Sequence, residues 1–301
     1  MTFSVAQTSR IGGRELNEDR SAYCYTAQSV LLLVADGLGG YPLGEVAAQM
    51  AVDSMVACFQ RDARPRLADP KAFLLRAFLT AHYEILRYAV VRSMDTPPRT
   101  TLVAALVQDG QVQWAHCGDS RLYWLRDGAL LARTVDHAGP ERRQDAAADT
   151  PGRHVLYTCV GAPSLPRVDV SEPQPLAQGD KLLLCSDGLW GPLSDMEIAR
   201  AIAHLPPHAA TETLVRRAYR HAGARSDNLT ALALEWQPAQ KSIDDAHTGL
   251  DALDGWVCES SHPAVSDPPT DMDNNELIAA ITALRNTFGP PVARLPLAAS
   301  E

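Results

Sequence analysis

The chain has 301 residues, 46% hydrophobic and 21% charged, with 36 acidic and 27 basic side chains and a net charge of −9. These values are those of an ordinary soluble globular protein with one large domain, or a domain and an appendage. The acidic balance argues against a nucleic-acid partner, which requires a basic face, and no apolar run approaches the ~18 residues of a membrane span.

The first ten residues, MTFSVAQTSR, lack the basic-then-apolar layout of a secretory leader. Phe3–Thr8 and Ser21–Thr26 alternate as short strands around the polar stretch Arg10–Arg20. Leu31–Gly40 reads LLLVADGLGG: an apolar run into an aspartate and glycines, as in a buried strand that ends at the surface. Gly44–Gln60 has helical spacing, and a second helix is predicted from Asp69-Pro70, an N-cap followed by proline, to about Val91. Thr100–Gln108, Gln111–Cys117, Ser120–Arg126 and Ala129–Arg133 follow as strands, with Asp109-Gly110 and Asp127-Gly128 as hairpin turns. Thr134–Pro151 is polar and reads as a surface flap.

Lys181–Ser186 is a further buried strand, leading through Asp187-Gly188 to a helix with a capping box at Ser194 and Glu197. Thr211–His221 is the last helix of the domain and Leu229–Trp236 its closing strand. Strands and helix pairs do not alternate strictly, so antiparallel sheets covered by segregated helices are expected. Residues 239–301 hold 10 acidic and 3 basic side chains, so they carry −7 of the net charge. They are expected to be a largely disordered tail with one amphipathic helix over 274–288. Cys24, Cys58, Cys117, Cys159, Cys185 and Cys258 are scattered without a CxxC pair. A reduced, cytoplasmic protein with neither disulfide framework nor zinc site is expected.

The four Asp-Gly pairs of the central region separate into two kinds. Those at 109 and 127 join hairpins; those at 36 and 187 follow long apolar strands with no matching partner. With Asp227, just before the final strand, Asp36 and Asp187 make three strand-end carboxylates that can share a site only if the fold gathers them. Oxygen ligands without His or Cys select Mg²⁺ or Mn²⁺ over zinc. Arg14, Glu18 and Asp19 in RELNED are by themselves a charged loop; the guanidinium could hold a phosphate and the carboxylates metal-bound water. Gly37, Gly39 and Gly40 do not form a dinucleotide fingerprint, and Glu45 stands where a phosphate loop needs Lys. His116, within a strand, is read as structural.

The motifs RELNED (14–19), VADGLGG (34–40), GEVAA (44–48), TTLVAALV (100–107), HCGDSRLY (116–123), TVDH (134–137), LLLCSDGLW (182–190) and SDNLTAL (226–232) occur in this order. In this the chain resembles the metal-dependent protein serine/threonine phosphatases, the PPM or type 2C family, in its compact bacterial branch. The resemblance covers Phe3 to Trp236 and implies an α+β fold over residues 1–238: a four-layer αββα sandwich with the metals at one end. It implies two Mn²⁺ or Mg²⁺ ions, Asp36 bridging both, the Gly37 carbonyl on one, and Asp187 and Asp227 completing the other. Arg14 would hold the substrate phosphate, with Glu18 and Asp19 in a second sphere; Asp36, Arg14 and Asp19 are thus the catalytic candidates. Asp119 matches a residue that helps hold a third ion in bacterial relatives. Gly191 stands where a carboxylate for that ion is often found, so a third ion is absent or held by fewer protein oxygens. Leu38 replaces a histidine proposed as general acid in animal members, so water must protonate the leaving group.

The implied reaction is hydrolysis of phosphoserine and phosphothreonine on proteins by water activated between two cations, without a covalent enzyme intermediate. The expected partners are phosphorylated proteins, a serine/threonine kinase or its targets among them, and the expected state is a monomer. A rival reading is a non-catalytic pseudophosphatase that binds a phosphorylated partner or kinase; it would be favoured by loss of metal ligands, and none of the core ligands is lost. A second rival, a phosphatase dedicated to one regulator, usually carries a sensor domain, and none is visible.

Overall fold

The computed structural model describes residues 1–140, 154–237 and 257–262. In chain order its first elements are β1 (Thr2–Arg10), β2 (Asp19–Tyr25), β3 (Ser29–Asp36), α1 (Gly44–Asp62) and α2 (Pro70–Val91). Four strands follow: β4 (Leu102–Gln108), β5 (Gln111–Cys117), β6 (Arg121–Arg126) and β7 (Ala129–Arg133). Then come the short strands β8 (Ala138–Pro140), β9 (His154–Leu156), β10 (Asp169–Val170) and β11 (Gln174–Pro175). The chain continues with β12 (Lys181–Cys185), α3 (Asp187–Trp190), α4 (Asp195–His204), α5 (Pro207–Ala222), β13 (Leu229–Gln237) and β14 (Val257–Ser260).

One antiparallel sheet has the order β1-β13-β12-β6-β7, the other β10-β5-β4-β3-β2-β14 with β11 also on β5. Period-2 alternation explains the layering, because successive side chains of a strand leave on opposite faces. In β3, Leu31, Leu33 and Ala35 pack with α1 and α2, while Val30, Leu32 and Val34 pack into the inter-sheet core. In β12, Leu182 and Leu184 face that same inter-sheet core, and Leu183 and Cys185 pack with α4 and α5. Three apolar layers between four structural layers are the expected αββα sandwich.

Local chemistry places the elements as the sequence predicts. Asp69 accepts from the Ala72 N–H at 3.0 Å and Pro70 opens α2. Ser194 and Glu197 form a reciprocal capping box on α4. Asp109-Gly110 and Asp127-Gly128 both have positive φ at each residue, the geometry of type I′ hairpin turns. Three features differ from expectation at the edges. The last helix begins at Pro207 rather than Thr211, because Pro206-Pro207 starts it. Asp187–Trp190 forms a helical turn of its own, and β10 and β11 are two-residue strands with too little sequence to show alternation.

The larger difference lies beyond residue 238. Val257–Ser260, within the stretch expected to be a linker, forms β14 and adds to the edge of β2. Its register places Cys258 opposite Cys24, with Cα atoms 4.1 Å apart, and the two are joined as a disulfide. The expectation of free thiols throughout is therefore corrected for this pair. Widely separated cysteines can be juxtaposed by a strand pairing that no local pattern reveals. Cys58, Cys117, Cys159 and Cys185 are free and buried. The helix expected over 274–288 and most of the flap lie outside the described residues. No helix among the described residues is long and apolar enough to cross a membrane.

Candidate active site

The antiparallel registers bring one end of every central strand to the same end of the sandwich. Asp19, first in β2, faces Asp36, last in β3. Cys185 at the end of β12 lies beside both Arg121 at the start of β6 and Ala231 near the start of β13. Asp187 and Asp227, just outside these two strands, are thereby neighbours, as is Asp119 in the β5–β6 turn. The backbone after Asp187 and the backbone around Asp227 meet tightly at Gly188. A Cβ added there would stand 2.0 Å from the Asn228 carbonyl oxygen and 3.1 Å from the Asp227 Cβ, so only glycine fits. Gly37 is similarly closed in, since an added Cβ would lie 2.4 Å from the Gly44 carbonyl.

Different devices hold the acidic residues, some by the backbone and some by the carboxylate. The Asp36 backbone is bracketed by Thr101: the Thr101 hydroxyl accepts from the Asp36 N–H at 3.1 Å and the Thr101 N–H donates to the Asp36 carbonyl at 2.8 Å. Ser186 donates its hydroxyl to Asp19 Oδ2 at 2.6 Å. The Trp190 indole N–H donates to the Asp119 carbonyl at 3.0 Å, and Arg121 stacks over that indole at 3.6 Å while pairing with Asp136. Asn228 anchors the RELNED loop: its amide oxygen accepts from the Glu18 N–H, and its amide nitrogen donates to the Ile11 and Leu16 carbonyls, each at 2.8 Å. Arg14 reaches from that loop to Asp227 Oδ2 at 2.6 Å.

The electrostatics are those of carboxylates crowded in a dry place. Burial pushes Asp36 well above the ordinary carboxylate range, and Asp19, Asp187, Asp119 and Asp227 push it further. Burial likewise raises Asp19 to about 7, against the hydrogen bond from Ser186. Asp119 rises to about 7, through burial and then Asp187. Asp187 rises to about 6, through burial and then Asp227, with a hydrogen bond to Asp36 opposing. Glu18 is raised, first by burial and then by Glu45. Among the described residues Asp19 Oδ1 is buried without a hydrogen-bond partner. An orphaned carboxylate oxygen among repelling carboxyls is a donor set suited to a hard divalent cation, which would stabilise all the ionised forms together.

The structure thus brings Arg14, Glu18, Asp19, Asp36, Gly37, Asp119, Asp187 and Asp227 to one end of the fold. Asn228, Ser186, Thr101 and Trp190 hold them there and were not singled out from the sequence. Asn228 and Ser186 adjoin two of the candidate aspartates, but their partners lie 210 and 167 positions away along the chain.

A second group of metal-type donors, His116, His137 and Asp169, offers ligand atoms within 4.8 Å of one another. One nitrogen of each ring is engaged elsewhere, while among the described residues His116 Nδ1 and His137 Nε2 are buried without a hydrogen-bond partner, His137 Nε2 lying 3.2 Å from Asp169. His116 Nε2 bonds the Val135 carbonyl at 2.8 Å, the Gly118 N–H donates to His137 Nδ1 at 3.3 Å, and Arg167 pairs with Asp169 through two nitrogens. Those bonds fasten the start of the flap to the strand end that leads to Asp119.

The protein phosphatase 2C family model matches residues 6–232. The serine/threonine phosphatase Stp of Listeria monocytogenes is 31% identical over 226 residues, covering 71% of this chain and 87% of that protein. Among solved structures, the serine/threonine phosphatase PstP/Ppp of Mycobacterium tuberculosis superposes with a TM-score of 0.65 at 29% identity, over 79% of this chain and all of that one. A structure of the PstP catalytic domain in complex with two manganese ions gives 0.61 at 28% identity, over 77% of this chain and 97% of that one. Gathered strand-end carboxylates, the two-sheet sandwich and these likenesses agree, and the chain belongs to the protein phosphatase 2C family of serine/threonine protein phosphatases.

Proposed function

We propose that the chain hydrolyses phosphoserine and phosphothreonine on proteins at the carboxylate cluster, with Asp36, the Gly37 carbonyl, Asp187 and Asp227 holding two Mn²⁺ or Mg²⁺ ions. The observation that carries this reading is the convergence of Asp36, Asp187 and Asp227 from three strand ends. When bound, the ions supply the Lewis acidity that readies water for attack and offsets charge on the phosphoryl oxygens.

The protein's own residues do the remainder. Arg14, half-exposed at the rim, presents a guanidinium for the phosphoryl oxygens and neutralises charge that builds there in the transition state. Glu18 and Asp19 accept from water in a second sphere, with Asp19 fixed by Ser186. Asp119, whose carbonyl is bonded by Trp190, is the residue that would hold a further ion if one binds. No cysteine takes part: the four free thiols are buried, and burial raises Cys117 to about 12 and Cys159 to about 11, where neither is a nucleophile at neutral pH.

The cellular role that fits is reversal of a serine/threonine kinase, acting on the kinase or on its targets. Hydrolysis of phosphothreonine peptides tests the proposal: turnover with Mn²⁺, none in excess EDTA, and recovery when Mn²⁺ is restored are expected. Equal turnover with and without divalent cation would refute it.

A further inference from the structure

We infer that Cys24 and Cys258 form a reversible thiol–disulfide site that locks strand β14, from beyond the family-matched residues, onto the strand that carries Asp19.

The family match ends at residue 232, so β14 is an addition to the common sandwich. It is a poor strand by its own resources. It has four residues, two of them exposed, and among the described residues it pairs on one side only, with Tyr25, Cys24, Tyr23 and Ala22 of β2. An edge strand of that size buries little apolar area and is marginal unless something else holds it. Among the described residues the bridge to Cys24 is its one covalent cross-link, and its Cys24 end is fully buried in the sheet. The Cys258 end is only partly buried, packed on the helical core face with Gln60 donating to its sulfur at 3.7 Å. A reductant therefore reaches the pair from the Cys258 side.

The remaining bonds carry the lock toward the candidate active site. The Ser261 N–H donates to the Ser21 carbonyl at 2.8 Å, and the Ser261 hydroxyl accepts from the Ser21 N–H at 3.0 Å. The Tyr23 hydroxyl donates to Glu259. Ser21 lies two positions from Asp19, so both backbone polar groups of a residue near the carboxylate cluster are satisfied by the added segment. With the bridge cut, docking of β14 becomes an ordinary intramolecular equilibrium set by effective concentration.

The chemistry is a two-electron exchange with a dithiol reductant. One thiolate of the dithiol attacks the Cys258 sulfur, the Cys24 sulfur leaves as thiolate, and a mixed disulfide forms on Cys258. The second thiolate of the same dithiol then displaces Cys258, giving two protein thiols after protonation and one oxidised dithiol. Disulfides in reducing compartments are characteristically transient or sensing ones, which suits a bridge of this accessibility.

The test is hydrogen–deuterium exchange on the full chain, with non-reducing peptide mapping, before and after treatment with dithiothreitol. The expected result is a Cys24–Cys258 linked peptide in the oxidised protein. Amides of 21, 23 and 25 and of 257, 259 and 261, which face across the β2–β14 pairing, should then exchange ~10-fold or more faster after reduction, while α4 and α5 are unchanged. Cys258→Ser should exchange like the reduced protein and be indifferent to dithiothreitol. Because the first comparison uses only wild-type protein, a poorly folding variant does not leave the inference unexamined. Absence of the linked peptide after oxidation, or exchange at the amides facing across the β2–β14 pairing that reduction leaves unaltered, would overturn it.

Discussion

Asp19→Asn is the substitution whose effect can be worked furthest from the structure. Asp19 is wholly buried, with one carboxyl oxygen bonded by Ser186 and the other without a partner. Its proton affinity rises from an ordinary 3.8 to about 7 on folding, with burial the main cause. The metal-free folded state therefore binds more protons than the unfolded chain between about pH 4 and pH 7, and its stability falls as pH rises through that window. The side chain is fully enclosed, and each pH unit of the window is worth about 1.4 kcal/mol. Asparagine cannot ionise. Relative to wild type, metal-free Asp19→Asn should gain about 3 kcal/mol of stability between about pH 5 and about pH 8. The unpartnered amide it introduces costs about 1–3 kcal/mol at every pH, so it shifts the curve without altering the slope. Urea unfolding of both proteins in EDTA at the two pH values measures the quantity, and saturating Mn²⁺ should erase the gain by compensating the carboxylate. A stability difference that does not change with pH would refute the claim that Asp19 is held as a strained, cation-seeking carboxylate.

Three other substitutions probe separate links. Asp36→Asn should lower Mn²⁺-dependent phosphopeptide turnover by about 10³-fold or more, since it removes an anion at the centre of the cluster; near-normal turnover contradicts the assignment. Gly188→Ala places a Cβ 2.0 Å from the Asn228 carbonyl oxygen and should push Asp187 and Asp227 apart, weakening Mn²⁺ binding measured by calorimetry. An unchanged isotherm would mean that their spacing does not matter. Ser194→Ala removes the capping box of α4, away from the cluster, and should cost about 1 kcal/mol in urea unfolding with turnover unaffected.

The elements that local chemistry decides were legible from the residues. Strand alternation in LLLVA and KLLLC, the type I′ turns at 109 and 127, the Asp69-Pro70 cap and the Ser194 box each act within a few positions, and each stands where expected. Asp36 and Asp187 could be picked out because each follows a long apolar strand with no hairpin to form, and Asp227 because it stands just before the closing strand as a third candidate for the same site. What fixes them could not be picked out. Asn228, Ser186 and Thr101 act on residues 210, 167 and 65 positions away, and such pairs become visible only when the sheets are assembled. The same holds for β14: four residues amid Asp, Ser and Pro have no periodicity to read, and Cys258 finds Cys24 through a strand pairing.

The most direct measurement of the central claim is a calorimetric Mn²⁺ titration of the metal-stripped chain beside its Asp36→Asn and Asp187→Asn variants. Two ions per wild-type chain, and loss of binding in both variants although the mutated residues lie 151 positions apart, is the result that convergence of strand-end carboxylates requires. Wild-type binding that survives in either variant at unchanged stoichiometry and affinity would contradict it.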